Sequence, residues 1–268
     1  MQNRQFLADC VAQAHRIIMT IYRQDFSVSY KGKTDPVTQA DKEADAFYIS
    51  RLSRRFPGMP ILTEESHQAG TAYHDAFWCI DPLDGTKDFI QKDDEFATML
   101  ARIEDSRPVE GIIGLPAKDI MLYAAKGEGC FIWRQGAWHA FEPVNRTFDG
   151  RTAAAIHTRN HQSQLLFDIL DRLGIVKRLA RGSVGYKTAA MLLGMGDICV
   201  YPSQHTKWWD SAPGEIILSE AGGGMTDLFG APIVYQGKDV YNRKGLVASL
   251  YKEHRFLTQI ADLVDTFA

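Results

Sequence analysis

Hydrophobic positions recur at intervals of three and four near the N-terminus: Phe6, Leu7, Cys10, Val11, Ala14, Ile17, Ile18, Ile21 and Tyr22. That spacing predicts an amphipathic helix over about 4–24. A second helix is predicted from Thr38 to about Phe56, with Ala44, Phe47, Tyr48, Leu52 and Phe56 on one face and Pro57-Gly58 ending it. Thr38 suits its cap, and Asp41 stands three residues on, where a capping box usually has Glu or Gln. Short apolar runs follow at 60–63, 78–80, 96–103, 108–115, 120–125 and 129–133, broken by turn formers. The last four predict an antiparallel meander. The span 135–151 has few apolar pairs, so a boundary near 145 divides an N-terminal domain, 1–145, from a C-terminal domain, 146–268. In the second half strands at 152–156, 197–201, 225–227 and 246–249 alternate with helices at 165–173, 184–193, from Asp210 as N-cap with Pro213 in the first turn, and at 250–267. That alternation predicts an α/β layer.

The stretch Trp78-Cys79-Ile80-Asp81-Pro82-Leu83-Asp84-Gly85-Thr86-Lys87-Asp88-Phe89 breaks the pattern, because an apolar run ends in two acids. Asp81 is expected at a strand end, and Pro82 fixes its own φ and cannot donate to a ladder, so the chain is expected to turn. Asp84 can then point back toward Asp81. Two carboxylates held that close repel unless a cation lies between them, and oxygen ligands alone suit a hard ion such as Mg²⁺. Gly85 and Thr86 would open a helix whose free N–H groups suit a phosphate. Asp-Pro and Asp-Gly are also ordinary turn formers, so the string gains meaning only from partners elsewhere. Glu64-Glu65-Ser66 supplies a second strand ending in acids. If the two strands pair, Glu64 comes beside Asp81 and Asp84. Asp41 is expected in the first turn of its helix, where a carboxylate is favoured by the dipole. A plain helix-start acid fits that position equally well.

Composition narrows the classes. The 268 residues carry a formal charge of −3, which gives no basic field for a nucleic-acid polymer. No run of about 18 apolar residues exists, so no membrane span is expected, and the first residues lack the apolar core of a secretory signal. Four scattered cysteines, Cys10, Cys79, Cys130 and Cys199, form neither a zinc pattern nor a disulfide framework, and a reducing, cytoplasmic setting is expected.

Four elements stand in fixed order: Asp35-Pro36-Val37-Thr38-x-x-Asp41, Glu64-Glu65-Ser66, Asp81-Pro82-Leu83-Asp84-Gly85-Thr86 and Trp209-Asp210-x-x-Pro213. Together they resemble the lithium-sensitive, metal-dependent phosphomonoesterases of the inositol monophosphatase superfamily, over nearly the whole chain. Gly85-Thr86-Lys87-Asp88-Phe89, the acidic turn Asp93-Asp94-Glu95 and the segment Thr206–Pro213 are most similar to the 3'(2'),5'-bisphosphate nucleotidases. Gly182-Ser183-Val184-Gly185-Tyr186-Lys187 departs from the Gly-Ser-Ser-x-Lys of many bacterial nucleotidases.

The resemblance implies an α+β or α/β layered sandwich, αβαβα. It implies two or three Mg²⁺ ions held by Glu64, Asp81, the Leu83 carbonyl, Asp84 and Asp210, with Li⁺ inhibitory. Glu64, Asp81 and Leu83 would serve the ion beside the attacking water, and Asp81, Asp84 and Asp210 the ion near the leaving oxygen. Thr86 and Asp41 would form a dyad that orients the water and takes its proton. Gly85 and Thr86 amides would bind phosphoryl oxygens. Arg159, His161, Ser183, Lys187 and Asp210 are expected at the substrate, and Lys87 and Lys207 are further candidates for a second phosphate. Trp208 could stack on a base, although a packed aromatic is the more ordinary reading. The expected reaction is hydrolysis of a small phosphorylated substrate, adenosine 3',5'-bisphosphate to AMP and phosphate. Inositol, sugar or histidinol phosphate are the alternative substrates, and a silent regulatory relative is the alternative class. A homodimer is a family expectation.

Overall fold

In chain order the N-terminal half forms α1 (Gln2–Tyr22), β1 (Val28–Tyr30), β2 (Pro36–Thr38), α2 (Gln39–Arg55), β3 (Ile61–Thr63), β4 (Ala76–Asp84), α3 (Thr86–Gln91), β5 (Ala97–Glu104), β6 (Arg107–Leu115), β7 (Ile120–Ala125), β8 (Gly129–Arg134) and β9 (Ala137–Ala140). The second half adds β10 (Ala154–Thr158), α4 (Gln164–Arg172), β11 (Lys177–Arg181), α5 (Val184–Leu192), β12 (Ile198–Tyr201), α6 (Trp208–Glu220), β13 (Gly224–Thr226) and β14 (Leu246–Ser249). A 3₁₀ turn (Arg255–Ile260) and α7 (Ala261–Val264) follow. The computed structural model describes residues 2–31, 36–143, 145–160 and 162–265.

Two sheets carry the architecture. One has seven strands in the order β3-β4-β5-β6-β7-β8-β9, antiparallel except for the parallel β3–β4 pair. The other has five, β11-β10-β12-β14-β13. Alternation along the strands sends successive side chains to opposite faces. Trp78 and Ile80 of β4 and Leu100 of β5 pack under α1 and α2, with Leu7, Val11, Ala44 and Tyr48. Phe77 and Cys79 of β4 and Met99 and Ile103 of β5 face the other way, onto Ala189, Ala212 and Ile217 of α5 and α6. The same helices meet Cys199 and Ala248 of the five-stranded sheet. Ile198, Val200 and Val247 point outward, onto Leu166, Ile169 and Leu170 of α4 and onto Leu257 and Ile260. Helices, sheet, helices, sheet, helices is the αβαβα order expected. The central core, however, is continuous across residue 145, since α5 and α6 pack on β5 and β6.

Several local expectations are corrected. β4 does not end at Asp81. It runs to Asp84, opposite Ala97 of β5, and absorbs Pro82 in a register shift between Asp81 and Asp84. A bulge of this kind leaves residues unpaired and re-aims side chains, which keeps both acids on one strand. The N-cap of α6 is Lys207, not Asp210. Asp210 is the third helical residue, and Pro213 lies inside the helix, past the first turn. The chain from Leu250 does not become a helix at once; Leu250 N–H bonds the Asp197 carbonyl, and helical turns begin only at Arg255. Strands β1, β9 and β11 lack the apolar alternation that marks a strand. β9 and β11 are sheet edges, where one side needs no partner.

Candidate active site

The parallel β3–β4 pair sets Thr63 against Ile80, and Glu64 N–H bonds the Ile80 carbonyl at 3.1 Å. Pairing therefore brings Glu64 close to Asp81, near the end of β4. From the second half α5 and α6 present their N-terminal ends. Gly185 N–H donates to Asp84 Oδ2 at 2.5 Å, and Lys207 N–H donates to Asp210 Oδ2 at 2.7 Å. Asp81 Oδ1 accepts from Leu83 N–H at 2.9 Å. Each of the three aspartates thus has one oxygen fixed by a backbone N–H. Glu64, Asp81, Leu83, Asp84, Thr86 and Asp210 all line one cavity of about 670 Å³.

The electrostatics follow from burial. Asp81 and Asp84 are 2% and 7% exposed. Asp81 is pushed well above the usual carboxylate range by desolvation, then by the charges of Glu64, Asp84, Asp210 and Asp41. Asp84 is raised by desolvation, against the lowering effect of Gly185 N–H and the Lys187 charge. Asp210 is pushed up to about 8 by desolvation, then by Glu64 and Asp84. Mutual repulsion of this sort is relieved by a cation. Among the described residues no set of three or more His, Cys, Asp or Glu side chains converges into a ready-made metal cage. The donor set itself is all hard oxygen and strongly anionic, which fits Mg²⁺ in chemistry.

Thr38 caps α2, and its N–H and Oγ1 both donate to Asp41 Oδ2, at 2.7 and 2.5 Å. Thr86 Oγ1 donates to Asp41 Oδ1 at 2.9 Å. The capping box that starts a helix therefore also orients a buried carboxylate toward Thr86. Desolvation raises Asp41, and the Thr38 and Thr86 hydrogen bonds hold it down in part. Gly85 has φ 88°, and a Cβ there would meet Ser183 Cβ at 2.6 Å. Only glycine lets α5 approach this turn so closely.

The candidate substrate cations fare differently. Arg159 pairs with Asp88 at 3.2 Å, with Glu95 at 2.6 Å and with Asp93. Its guanidinium is engaged by three carboxylates. Lys187 is 2% exposed, and its ammonium donates to the Gly182 carbonyl and to the Ser183 carbonyl at 2.9 Å. Neither presents an unengaged charge, because each sits where the fold needs a local counter-charge or a carbonyl cap. Ser183 caps α5, its Oγ accepting from Tyr186 N–H at 3.0 Å, and lines the cavity. Trp208 is 2% exposed and packs against Phe77 and Tyr235, so it is core. Asp35 and His161 lie outside the described residues.

Three lining residues were not singled out from the sequence. Asp88 is 2% exposed and is pushed up to about 7 by desolvation, then by Asp93. Its place two residues after Thr86 was the available signal. Tyr201 and Thr206 each carry a buried hydroxyl with no oxygen or nitrogen partner among the described residues, the Cys199 thiol lying beside that of Tyr201. No sequence pattern marks them. A second cavity, of about 540 Å³, lies between β13 and the 3₁₀ turn; its one carboxylate, Glu253, pairs with Arg255.

The inositol monophosphatase family model matches residues 2–265. The 3'(2'),5'-bisphosphate nucleotidase CysQ of Salmonella typhimurium is 30% identical over 239 residues, covering 87% of this chain and 94% of that protein. The protein of the same name from Escherichia coli K12 is 28% identical over the same shares. Among solved structures, the Thermotoga maritima IMPase superposes with a TM-score of 0.81 over all of both chains, at 23% identity. CysQ from Bacteroides thetaiotaomicron superposes with a TM-score of 0.74 over 92% of this chain and 97% of that one, also at 23% identity.

Proposed function

The chain belongs to the inositol monophosphatase family, and from that premise we propose that it is an Mg²⁺-dependent 3'(2'),5'-bisphosphate nucleotidase that hydrolyses adenosine 3',5'-bisphosphate to AMP and phosphate. The observation that carries the chemistry is the gathering of Asp81, Asp84, Asp210 and Glu64 beside the Thr86–Asp41 pair. The choice of substrate rests on the kinship to the CysQ nucleotidases.

Glu64, Asp81, the Leu83 carbonyl, Asp84 and Asp210 would hold the Mg²⁺. When bound, the ion makes its water acidic enough to attack near neutral pH and offsets charge on the phosphoryl group. The protein supplies the rest. Thr86 Oγ1 donates to Asp41, so its lone pairs are turned to accept from a water. A proton leaving that water passes to Thr86 Oγ1 as the threonine proton passes to Asp41 Oδ1. The raised affinity of Asp41 for a proton suits it as the final acceptor. Gly85 and Thr86 N–H groups, at the start of α3, take phosphoryl oxygens. All four cysteines are buried thiols, in keeping with the cytoplasmic setting we infer.

One observation favours a second reading. Arg159 and Lys187 are both engaged internally, which leaves fewer cations for a second phosphate and suits an inositol or sugar monophosphate. Steady-state rates on adenosine 3',5'-bisphosphate, inositol 1-phosphate and histidinol phosphate decide. The nucleotidase reading expects the highest kcat/KM on the first, and a clear preference for inositol 1-phosphate would overturn it. Lithium titrated at fixed Mg²⁺ is expected to inhibit at millimolar concentration.

A further inference from the structure

The cavity wall between β12 and α6 differs from the rest in having polar groups with nothing to bind. Tyr201 is only 7% exposed, and among the described residues its hydroxyl has no oxygen or nitrogen partner, only the weakly bonding Cys199 thiol beside it. The Thr206 hydroxyl is buried and unpartnered in the same sense. Leaving a buried hydroxyl unpaired costs free energy, and such exceptions point to a missing partner. Lys207 completes the wall. Its ammonium lies 4.9 Å from the Trp209 ring centroid and 5.7 Å from that of Tyr241. Among the described residues it donates to no carboxylate and no carbonyl. The other cations of the cavity region are engaged: Arg159 by three acids, Lys187 by two carbonyls, and Lys87 too has a partner.

We infer that Lys207, with the Thr206 and Tyr201 hydroxyls, forms the subsite for the substrate's second phosphate. This rests on the nucleotidase reading and deepens it. A phosphate dianion offers only acceptors, and this wall offers three donors of matching sense, one of them charged. The rings of Trp209 and Tyr241 hold the ammonium in place without neutralising it. The backbone of Lys207 is fixed independently, its N–H on Asp210 and its carbonyl accepting from Asn242 Nδ2 at 2.9 Å. The subsite is therefore rigidly tied to the segment that carries Asp210. Arg159, by contrast, is an internal counter-ion and no phosphate ligand.

The test compares adenosine 3',5'-bisphosphate with adenosine 3'-monophosphate in the Mg²⁺-loaded wild type, Lys207→Met, Lys207→Arg and Tyr201→Phe. Lys207→Met is expected to lower the bisphosphate-to-monophosphate ratio of kcat/KM by about tenfold, mainly through KM. Lys207→Arg is expected to restore most of the ratio, and Tyr201→Phe to lower it by a smaller factor. Inhibition by AMP, which carries the second phosphate alone, should weaken in parallel, and it is read against whichever monophosphate the wild type hydrolyses. A wild type that ignores the bisphosphate refutes the nucleotidase reading, and unchanged AMP inhibition in Lys207→Met then refutes the subsite as well. A wild type that prefers the bisphosphate, with a ratio unmoved by Lys207→Met, refutes the subsite alone. Equal loss on both substrates, unrelieved by arginine, also overturns it and assigns Lys207 to the support of Asp210.

Discussion

Two groups of largely buried acids lie close together, Asp88, Asp93 and Glu95 on α3 and the turn that follows, and Asp81 and Asp84 on β4 with Asp210 on α6, and the fold balances their charge in different ways. Asp88, Asp93 and Glu95 surround the Arg159 guanidinium, and Arg181 reaches Glu95 as well. Asn160 adds hydrogen bonds to Asp88 at 3.3 Å, and Gly182 lies so close that a Cβ would meet the Asp88 carboxyl at 2.5 Å. Asp81, Asp84 and Asp210 have no ion pair among the described residues. The nearby Lys187 ammonium is held on carbonyls, and Lys31 pairs with Glu65 at 2.5 Å and with Glu64 at 3.5 Å. The first group carries its own cations and is a joint between the two halves of the chain. The second has no ion partner of its own, so burial pushes Asp81 and Asp210 toward the protonated form, which supports the proposal that a cation from outside meets them. Burial alone does not mark a metal site; the proposed one combines burial with the lack of an ion pair among the described residues.

The sharpest break of the comparison is Asp84→Asn. It removes charge from the unbalanced group, and kcat is expected to fall about a thousandfold or more, with weaker Mg²⁺ dependence in a titration. An unchanged rate would put the metal elsewhere. Thr86→Val leaves both groups charged but breaks the link to Asp41. Here kcat should drop about a hundredfold or more, with KM little moved, in steady-state kinetics. Arg159→Met attacks the balanced group instead. Removing the guanidinium leaves Asp88 uncompensated, at an expected cost of about 2 kcal/mol, less than for a fully buried pair because Arg159 is partly exposed. The loss should be larger at pH 8 than at pH 5.5, because Asp88, at about 7, is mostly protonated at the lower pH and needs no counter-charge. Chemical denaturation at both pH values reads this.

A smaller effect separates the groups by pH in the wild type. Asp210 rises from the ordinary 3.8 to about 8 on folding. The folded state then binds more protons than the unfolded state between those values, so stability of the metal-free protein falls as pH rises through that window. Melting temperature in EDTA should decline from pH 5 toward pH 8.5, and Mg²⁺ should reverse the decline. A metal-free melting temperature that rises over this range would contradict the unbalanced charge. Least of all, Lys207→Met should change stability by no more than about 0.5 kcal/mol in the same denaturation assay, since its ammonium forms no ion pair among the described residues and its charge is only a minor influence on Asp210.

The acids of the centre were legible because their order and spacing are local facts. Asp81, Asp84, Gly85 and Thr86 share one strand-to-helix turn, and the Thr38–Asp41 capping box is written within four residues. The layered fold was legible because alternation in β4 and β5 already assigns Trp78 and Ile80 to one face and Phe77 and Cys79 to the other. The contact between Asp41 and Thr86 was expected only through the family resemblance, not from local pattern. It joins residues 45 apart, and only the packing of α2 beside β4 closes it to 2.9 Å. The strand through Pro82 was misread because a proline is forbidden only in a regular ladder, and the register shift that admits it depends on β5. Arg159 and Lys207 look alike as isolated cations in a chain. What distinguishes them is which neighbours arrive from elsewhere, three carboxylates for one and two aromatic rings for the other. Sequence determined the chemical types present and their local geometry. Tertiary structure decided which charges are already neutralised, because neutralisation is a property of distance and burial, and both are set only when remote segments pack.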